Sequence, residues 1–361
     1  MLLTSMLPFL SMKRERGVAW AAHTEVTVHF IDVGQGDSIL IDTAGSDVLV
    51  DGGIQASGST VLSYLGKLDI TRISLMVATH MDADHIGGLV TVLGSAIQVD
   101  EVLTNGMAGN TVTYTNFMNL AQTHMMTVAH RGQTYVLTQT TNLTILNPTQ
   151  PLQFADQNDN SIVMKLQMSE TSFLLTGDAE ADAEQSMLSA GLNLKSNVLK
   201  VGHHGSRYAT TDLFLNSVSP SFAVISAGKD NPYGHPHPET IQRLLSHGVT
   251  TYGTFQSGTI VATMDGTSIT FQNSPQSIPE FPTIVVPSMI MLVLLLAVKV
   301  RGKRRSRWDS NLGQTEMSPE LRHHMTVFFN RHLLRSCLRR VLENSSIPIP
   351  YSLTMNPHFL I

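Results

Sequence analysis

Apolar and polar residues alternate along Val26-Thr27-Val28-His29-Phe30-Ile31. Two further short runs follow across turns rich in Gly and Asp, Ser38-Ile39-Leu40-Ile41-Asp42 and Asp47-Val48-Leu49-Val50-Asp51. This pattern predicts three short strands. Residues 57–68 read as a helix, and the apolar run Ile73-Ser74-Leu75-Met76-Val77-Ala78 as a buried strand. Downstream, strands are expected at 99–103, 134–137, 143–146, 162–168 and 172–175, with a methionine-rich helix at 114–126 whose methionines serve as core filler. A helix at 178–189 has acidic residues in its first turns, as the helix dipole favours. A strand at 198–201, a helix at 211–217, a strand at 222–226, a helix at 238–247 and two closing strands complete the pattern. Strands and helices mixed in two similar halves suit two packed sheets with helices on both outer faces.

The pattern changes at both ends. Residues 281–298 are apolar and uncharged, and Lys299, Arg301, Lys303, Arg304, Arg305 and Arg307 follow directly. Eighteen such residues just span a hydrocarbon core of about 30 Å. The basic cluster favours the cytoplasmic side, which leaves the body outside the cytoplasm on a membrane anchor. Residues 275–307 are thus expected to be linker, transmembrane segment and stop-transfer cluster, and 308–361 a basic tail. Near the start, a short apolar run precedes Lys13-Arg14-Glu15-Arg16, the reverse of the order in a secretory signal, so 1–24 reads as a degraded signal. The body is then 25–274.

Composition narrows the chemistry. Of the 361 residues 42% are hydrophobic and 14% charged, which permits a sizeable core and argues against disorder over the body. The lone cysteine, Cys337, lies in the tail, so thiolate ligands are excluded from the body and a metal there must be held by His, Asp, Asn or water. The net charge of −5 is uneven: 24 of the 28 acidic residues but only 12 of the 23 Lys and Arg lie before Lys299. An acidic body lacks the electrostatic footprint of a tight nucleic-acid binder, so nucleic acid is expected as a substrate and not as a stable partner.

The densest chemistry is Thr79-His80-Met81-Asp82-Ala83-Asp84-His85-Ile86-Gly87-Gly88, immediately after the buried strand. Imidazoles and carboxylates this close repel and lose solvation unless a divalent cation joins them. On an extended loop, His80 and Asp82 would point to one side while Asp84 and His85 reach a second position. His203 and His204 follow the strand at 198–201, and because neighbouring strand residues face opposite ways, only one of the pair is expected to bind metal, His204 in preference, with His203 supporting it from behind.

The run from His80 to His85 resembles the metallo-β-lactamase superfamily signature, with Asp82 where the second histidine usually stands. That substitution resembles the branch containing the soluble domain of the ComEC DNA-uptake proteins. The same branch is matched by Asp32-Val33-Gly34-Gln35-Gly36-Asp37-Ser38, Leu49-Val50-Asp51-Gly52-Gly53, Leu174-Leu175-Thr176-Gly177-Asp178-Ala179-Glu180, Val198-Leu199-Lys200-Val201-Gly202-His203-His204-Gly205-Ser206 and Asn231-Pro232-Tyr233-Gly234-His235-Pro236-His237. The resemblance implies an αββα four-layer sandwich. It also implies one to two divalent ions held by His80, Asp82, Asp84, His85, Asp178 and a histidine of the His203-His204 pair, with Asp178 bridging. Asp178 could instead cap the helix that follows it. The superfamily's remaining histidine has no counterpart; in its place an Asn or Asp side-chain oxygen of Asn158-Asp159-Asn160-Ser161, or a water, would complete that position. An oxygen-rich site makes Mn2+ a competitor to Zn2+.

Asp84, Asp178 and His237 are the candidate catalytic residues, with Asp84 orienting the attacking water. Lys200, Ser206, His235 and His237 are candidates for contact with substrate oxygens or for proton donation to the leaving group. Asp37 and Asp51 either orient ligand histidines or simply form turns. The resemblance implies a phosphodiesterase or nuclease, with DNA among the substrates. Hydrolysis of lactams, lactones or envelope phosphoesters is the alternative within the fold, and a non-catalytic, metal-stabilised surface protein is the alternative outside catalysis.

Overall fold

The computed structural model describes residues 25–43 and 45–275. The N-terminal segment, the apolar span at 281–298 and the basic tail expected from the sequence lie outside them. Among the described residues, no helix is long and apolar enough to cross a membrane.

The first half begins with β1 (Val26–Phe30), β2 (Ile39–Asp42) and β3 (Val48–Val50), joined as antiparallel neighbours. From β3 onward the sheet becomes parallel through β4 (Arg72–Ala78), β5 (Gln98–Thr104) and β6 (Met125–Val128). The connections are α1 (Gly58–Lys67), α2 (Ala83–Leu93) and α3 (Val112–Ala121), as parallel pairing requires crossovers. The second half repeats the plan. β7 (Thr134–Val136), β8 (Thr141–Asn147), β9 (Val163–Met168) and β10 (Thr171–Leu175) are antiparallel neighbours. Then β11 (Val198–Lys200), β12 (Phe222–Ile225) and β13 (Thr250–Gly253) run parallel to β10, linked by α4 (Ala181–Ser189), α5 (Asp212–Val218) and α6 (Pro238–Ser246). After the short α7 (Thr254–Ser257), β14 (Ile260–Met264) returns to pair with β1 and β15 (Ile269–Phe271) closes that edge. The sheet orders are β15-β14-β1-β2-β3-β4-β5-β6 and β13-β12-β11-β10-β9-β8-β7.

Period-two alternation divides the interior into layers. Val28, Phe30, Leu75 and Val77 meet Phe173, Leu175, Val198 and Val224 between the two sheets. Leu40, Leu49, Met76 and Ala78 face α1, α2 and α3 on the other side of the first sheet. Leu174, Leu199, Ala223 and Ile225 pack under the helices of the second half. The sandwich expected from the sequence is therefore present, as a mixed α/β fold with two sheets and helices outside each.

Two expectations need correction. The segment at 114–126 is not one helix: α3 ends at Ala121, and Met125 and Met126 enter β6, where they pair with Glu101 and Val102. Pairing along the open edge of β5 outweighs the helical pattern, and Met125 faces solvent there instead of filling the core. The loop carrying the dense His and Asp cluster is also not extended beyond Asp82, because α2 starts at Ala83.

Candidate metal centre

In each half the parallel strands end at the same edge, and in open α/β sheets ligands gather at those carboxyl ends. Asp51 follows β3, Thr79 and His80 follow β4, Asp178 follows β10, His203 and His204 follow β11, and Ser226 follows β12. The two sheets thus bring all of these residues to one end of the sandwich.

Backbone packing then sets their spacing. Asp82 caps α2 in an extended conformation, and its carbonyl accepts hydrogen bonds from His85 N–H and Ile86 N–H. Asp84 and His85 therefore lie in the first helical turn, where a carboxylate is favoured by the dipole. Gly52 N–H donates to His85 O at 2.8 Å and Gly88 N–H to Gly53 O at 2.9 Å, so α2 docks directly on the loop after β3. A Cβ on Gly88 would lie 1.9 Å from Gly52 O, which explains the Gly-Gly pair after His85. Likewise a Cβ on Gly36 would lie 2.1 Å from Asp84 O. These glycines let three loops close around one point.

Three histidines turn their Nε2 atoms inward because their Nδ1 atoms are held from behind. His85 Nδ1 is 2.8 Å from Asp51 Oδ2, whose carboxylate also accepts from Thr79 N–H at 2.9 Å and Thr79 Oγ1 at 2.7 Å. His80 Nδ1 lies 3.1 Å from Thr79 Oγ1 and 3.3 Å from Ser161 Oγ. His204 Nδ1 is 3.0 Å from Ser226 O. The Nε2 atoms of His80, His85 and His204 and Oδ1 of Asp178 are all buried with no hydrogen-bond partner. Asp178 Oδ2 stands 3.3 Å from His85 Nε2 and 3.2 Å from His204 Nε2, and Asp84 Oδ2 is 3.5 Å from His204 Nε2.

Buried polar atoms left without partners are costly, and several converging on one point are the signature of a site built for a cation. Ligand atoms of His80, His85 and Asp178 lie within 4.8 Å of one another, and so do those of Asp84, His85 and His204. The donor set fits one to two divalent ions. Electrostatics points the same way. Burial by itself would lower the His85 and His204 pKa values, but Asp178, with Asp51 for His85, outweighs it and raises both well above the usual range. Burial would raise Asp178, yet the two imidazoles hold it well below the usual carboxylate range.

Residues 31–99 match the family described as the metallo-beta-lactamase superfamily. The superfamily is generally one of hydrolytic enzymes that bind divalent metals. ComE operon protein 3 of Bacillus subtilis (strain 168) is 29% identical over 265 residues, covering 66% of this chain and 33% of the relative. Competence protein ComA of Neisseria gonorrhoeae is 31% identical over 239 residues, 65% of this chain and 32% of the relative. The chain thus spans about a third of the length of these curated relatives. Among solved structures, the metallo-beta-lactamase fold protein YhfI from Bacillus subtilis aligns over 66% of this chain and 99% of its own, at 12% identity and a TM-score of 0.44.

Around this centre the expected residues separate into groups. His80, His85, Asp178, Asp84 and His204 form the convergent set. The choice between His203 and His204 falls on His204. The pair follows β11 in left-handed backbone, φ 45° and 54°, so strand alternation does not apply, and the tight turn sends His204 inward and His203 to the mouth. His203 is held there by Glu180 Oε1 at 2.7 Å, with its Nε2 3.7 Å from Asp178. Asp178 does not cap α4; Glu180 occupies the cap position and Asp159 Oδ1 accepts from Glu180 N–H and Ala183 N–H. Asp82 sits at the rim, its side chain 54% exposed and 3.7 Å from His80 Nε2.

The structure removes two residues from the expected substrate surface. Lys200 is fully buried, with its ammonium 2.8 Å from Asp37 Oδ2 and 2.8 Å from Val201 O. Ser206 is buried too, and its hydroxyl accepts from Tyr208 N–H at 3.3 Å. Of the side chains expected to complete the first position, Asp159 and Asn160 are engaged elsewhere. Asp159 caps α4 and the Asn160 amide donates to Phe154 O and Asp156 O. From that turn it is Ser161 that reaches the centre, bridging His80 Nδ1 and Asp178 N–H. Ser161, Thr79 and Glu180 went unassigned in the sequence because hydroxyls and a lone glutamate carry no spacing signal. His235 and His237 lie at the mouth: the His235 ring is 5.3 Å from that of His203, while His237 Nδ1 accepts from Arg207 N–H at 3.0 Å. Asp37 and Asp51 are both tied into the centre and are more than turn formers. Of the histidines outside the motifs, His29 pairs with Tyr64 and His124 with Val99 O.

Proposed function

We propose that the domain is a metal-dependent phosphodiesterase that cleaves nucleic-acid strands. The observation that carries the metal part is the inward convergence of three orphaned Nε2 atoms on Asp178 and Asp84. The phosphodiester part is supported by two relatives whose names speak of competence and recombination, Competence protein ComA and Recombination protein 2 of Haemophilus influenzae, the latter 32% identical over 238 residues, 64% of this chain and 28% of the relative. It is also supported by the carboxylate oxygens of Asp84 and Asp178, with Asp82 at the rim, which join the three imidazoles in a donor set suited to oxygen-seeking Mn2+ as well as Zn2+.

His80, His85, His204, Asp178 and Asp84 would hold the metal, which when bound supplies an activated water and neutralises charge on a phosphoryl group. Asp84, with a side chain 27% exposed, faces both the centre and solvent and is placed to orient the attacking water. His203, fixed by Glu180, and His235 line the entrance, where an N–H can hydrogen-bond a leaving oxygen. His237 supports that wall through Arg207 N–H and its edge contact with His235 at 4.8 Å. The acidic body makes nucleic acid a transient substrate and not a lasting partner. The apolar span at 281–298 with its basic cluster would anchor the domain outside the cytoplasm.

The test is cleavage of single-stranded DNA and of bis(p-nitrophenyl) phosphate with Zn2+ or Mn2+ added separately, beside a β-lactam and a lactone. Asp84→Asn should lower phosphodiester turnover by about 100-fold or more, as loss of a water-orienting carboxylate does. Hydrolysis of the lactam or lactone with no phosphodiester cleavage under either metal would reject the proposal.

A further inference from the structure

We propose that Lys200 is a built-in counter-cation that claims Asp37 and keeps it out of the metal's ligand set, so fixing the charge and composition of the centre. The inference rests on the metal-binding part of the reading above. It makes Lys200 a positioning residue.

Lys200 occupies an unusual place. Along β11, Val198 faces the core between the sheets and Leu199 faces the helices, so alternation puts Lys200 on the core face, where an apolar residue is expected. It is fully buried nonetheless. A buried ammonium is retained only with close partners, and here they are Asp37 Oδ2 and Val201 O, each at 2.8 Å. Among the described residues, the other basic partners of the centre's carboxylates are imidazoles, and Lys200 is the one ammonium group.

Asp37 is within reach of a metal. Its carboxylate shares two potential ligand groups, one with Asp178 and His204 and one with Asp51 and His85, whose donor atoms lie within 4.8 Å of one another. Its Oδ1 is buried, has no hydrogen-bond partner and lies 3.4 Å from His204 Nδ1. That nitrogen is already turned to Ser226 O at 3.0 Å, so Oδ1 is not bound by it. The ion pair with Lys200 takes up Oδ2 and fixes the way the Asp37 carboxylate faces. With the ammonium present, the Asp37 charge is already balanced and a dication gains little by drawing it in. Without it, a buried carboxylate beside the centre would have no counter-charge except a metal ion.

Lys200→Met keeps an unbranched apolar stem and deletes the charge, and Lys200→Met/Asp37→Asn removes both charges. Thermal unfolding of the full chain after chelation, and again with Mn2+ or Zn2+, is combined with metal content by elemental analysis and with competitive chelator titration. The metal-free single variant should melt well below wild type. Metal should raise its melting temperature more than it raises that of wild type, and Mn2+ should bind it about tenfold or more tightly relative to wild type, or with one additional ion per chain. The double variant should recover metal-free stability and bind metal within about threefold of wild type. An equal metal-induced rise in wild type and Lys200→Met would show that Lys200 merely fills space and would overturn the proposal. If Lys200→Met does not fold, the double variant decides: lost metal binding there would mean that Asp37 is itself a ligand, which also overturns it. A wild-type chain that neither holds metal nor responds to it would instead sink the metal reading itself, and the proposal with it.

Discussion

Each imidazole of the centre is useful only because another residue holds its far nitrogen. Asp51 does this for His85 through a 2.8 Å contact, while Thr79 N–H and Oγ1 hold Asp51 in turn. Asp51→Asn preserves size but loses the charge that orients and polarises the ring. Metal affinity should fall about 10- to 100-fold, as for other outer-layer partners of ligand histidines. Competitive chelator titration measures it, and an unchanged affinity would mean that packing alone orients His85. The same residues set a pH dependence. His85 and His204 have pKa values raised well above the ordinary 6.5 by Asp178 and its neighbours, against the effect of burial. In the metal-free protein their pairing therefore contributes stability that is fully present below about 6.5 and is lost as pH rises through the raised values. Asp178 is depressed below the ordinary 3.8, so its share is present above that value and is lost on further acidification. Metal binding must displace the imidazole protons, so affinity should tighten steadily from pH 6 to pH 8 with measurable proton release. Calorimetry in buffers of different ionisation enthalpy tests this, and no release would contradict it.

At the scale of elements, α2 is held against the loop after β3 by backbone contact, with no side chain between. Gly88→Ala would place a methyl 1.9 Å from Gly52 O, and backbone cannot yield as a side chain can. The expected loss is about 1–3 kcal/mol or more from overpacking, with weaker metal binding because His85 moves along with α2. Gly66 in α1 is the control, since an added Cβ meets nothing within 4 Å and the backbone is helical. Gly66→Ala should stabilise by about 0.5–1 kcal/mol and leave metal affinity alone. Equal effects of the two substitutions in denaturant unfolding would refute this account of the docking.

On the scale of the whole molecule, the two halves repeat one plan and meet at the centre, so neither half builds it alone. The acidic body and basic tail are equally a property of the whole chain. A membrane anchor at 281–298 with the basic cluster inside predicts that protease added to intact cells degrades the metal domain while the cytoplasmic side survives. A domain that stays protected, or a chain recovered wholly in the soluble fraction, would reject that placement.

The sequence by itself determined which loops carry the chemistry and where strands deliver them. His80, Asp84, His85 and Asp178 stand in contiguous motifs after short apolar runs, and periodicity locates the ends of such runs. Only the tertiary structure decided between His203 and His204, because the left-handed turn that separates them breaks the alternation rule from which direction is read. It alone moved Lys200 from substrate surface to buried counter-charge, since its partner Asp37 is 163 positions away in the numbering and meets it only when the two sheets pack. The same holds for Ser161 and Ser226, whose contribution is one oxygen at the right distance. Local pattern records burial and period; which atom faces which is set by contacts between distant segments.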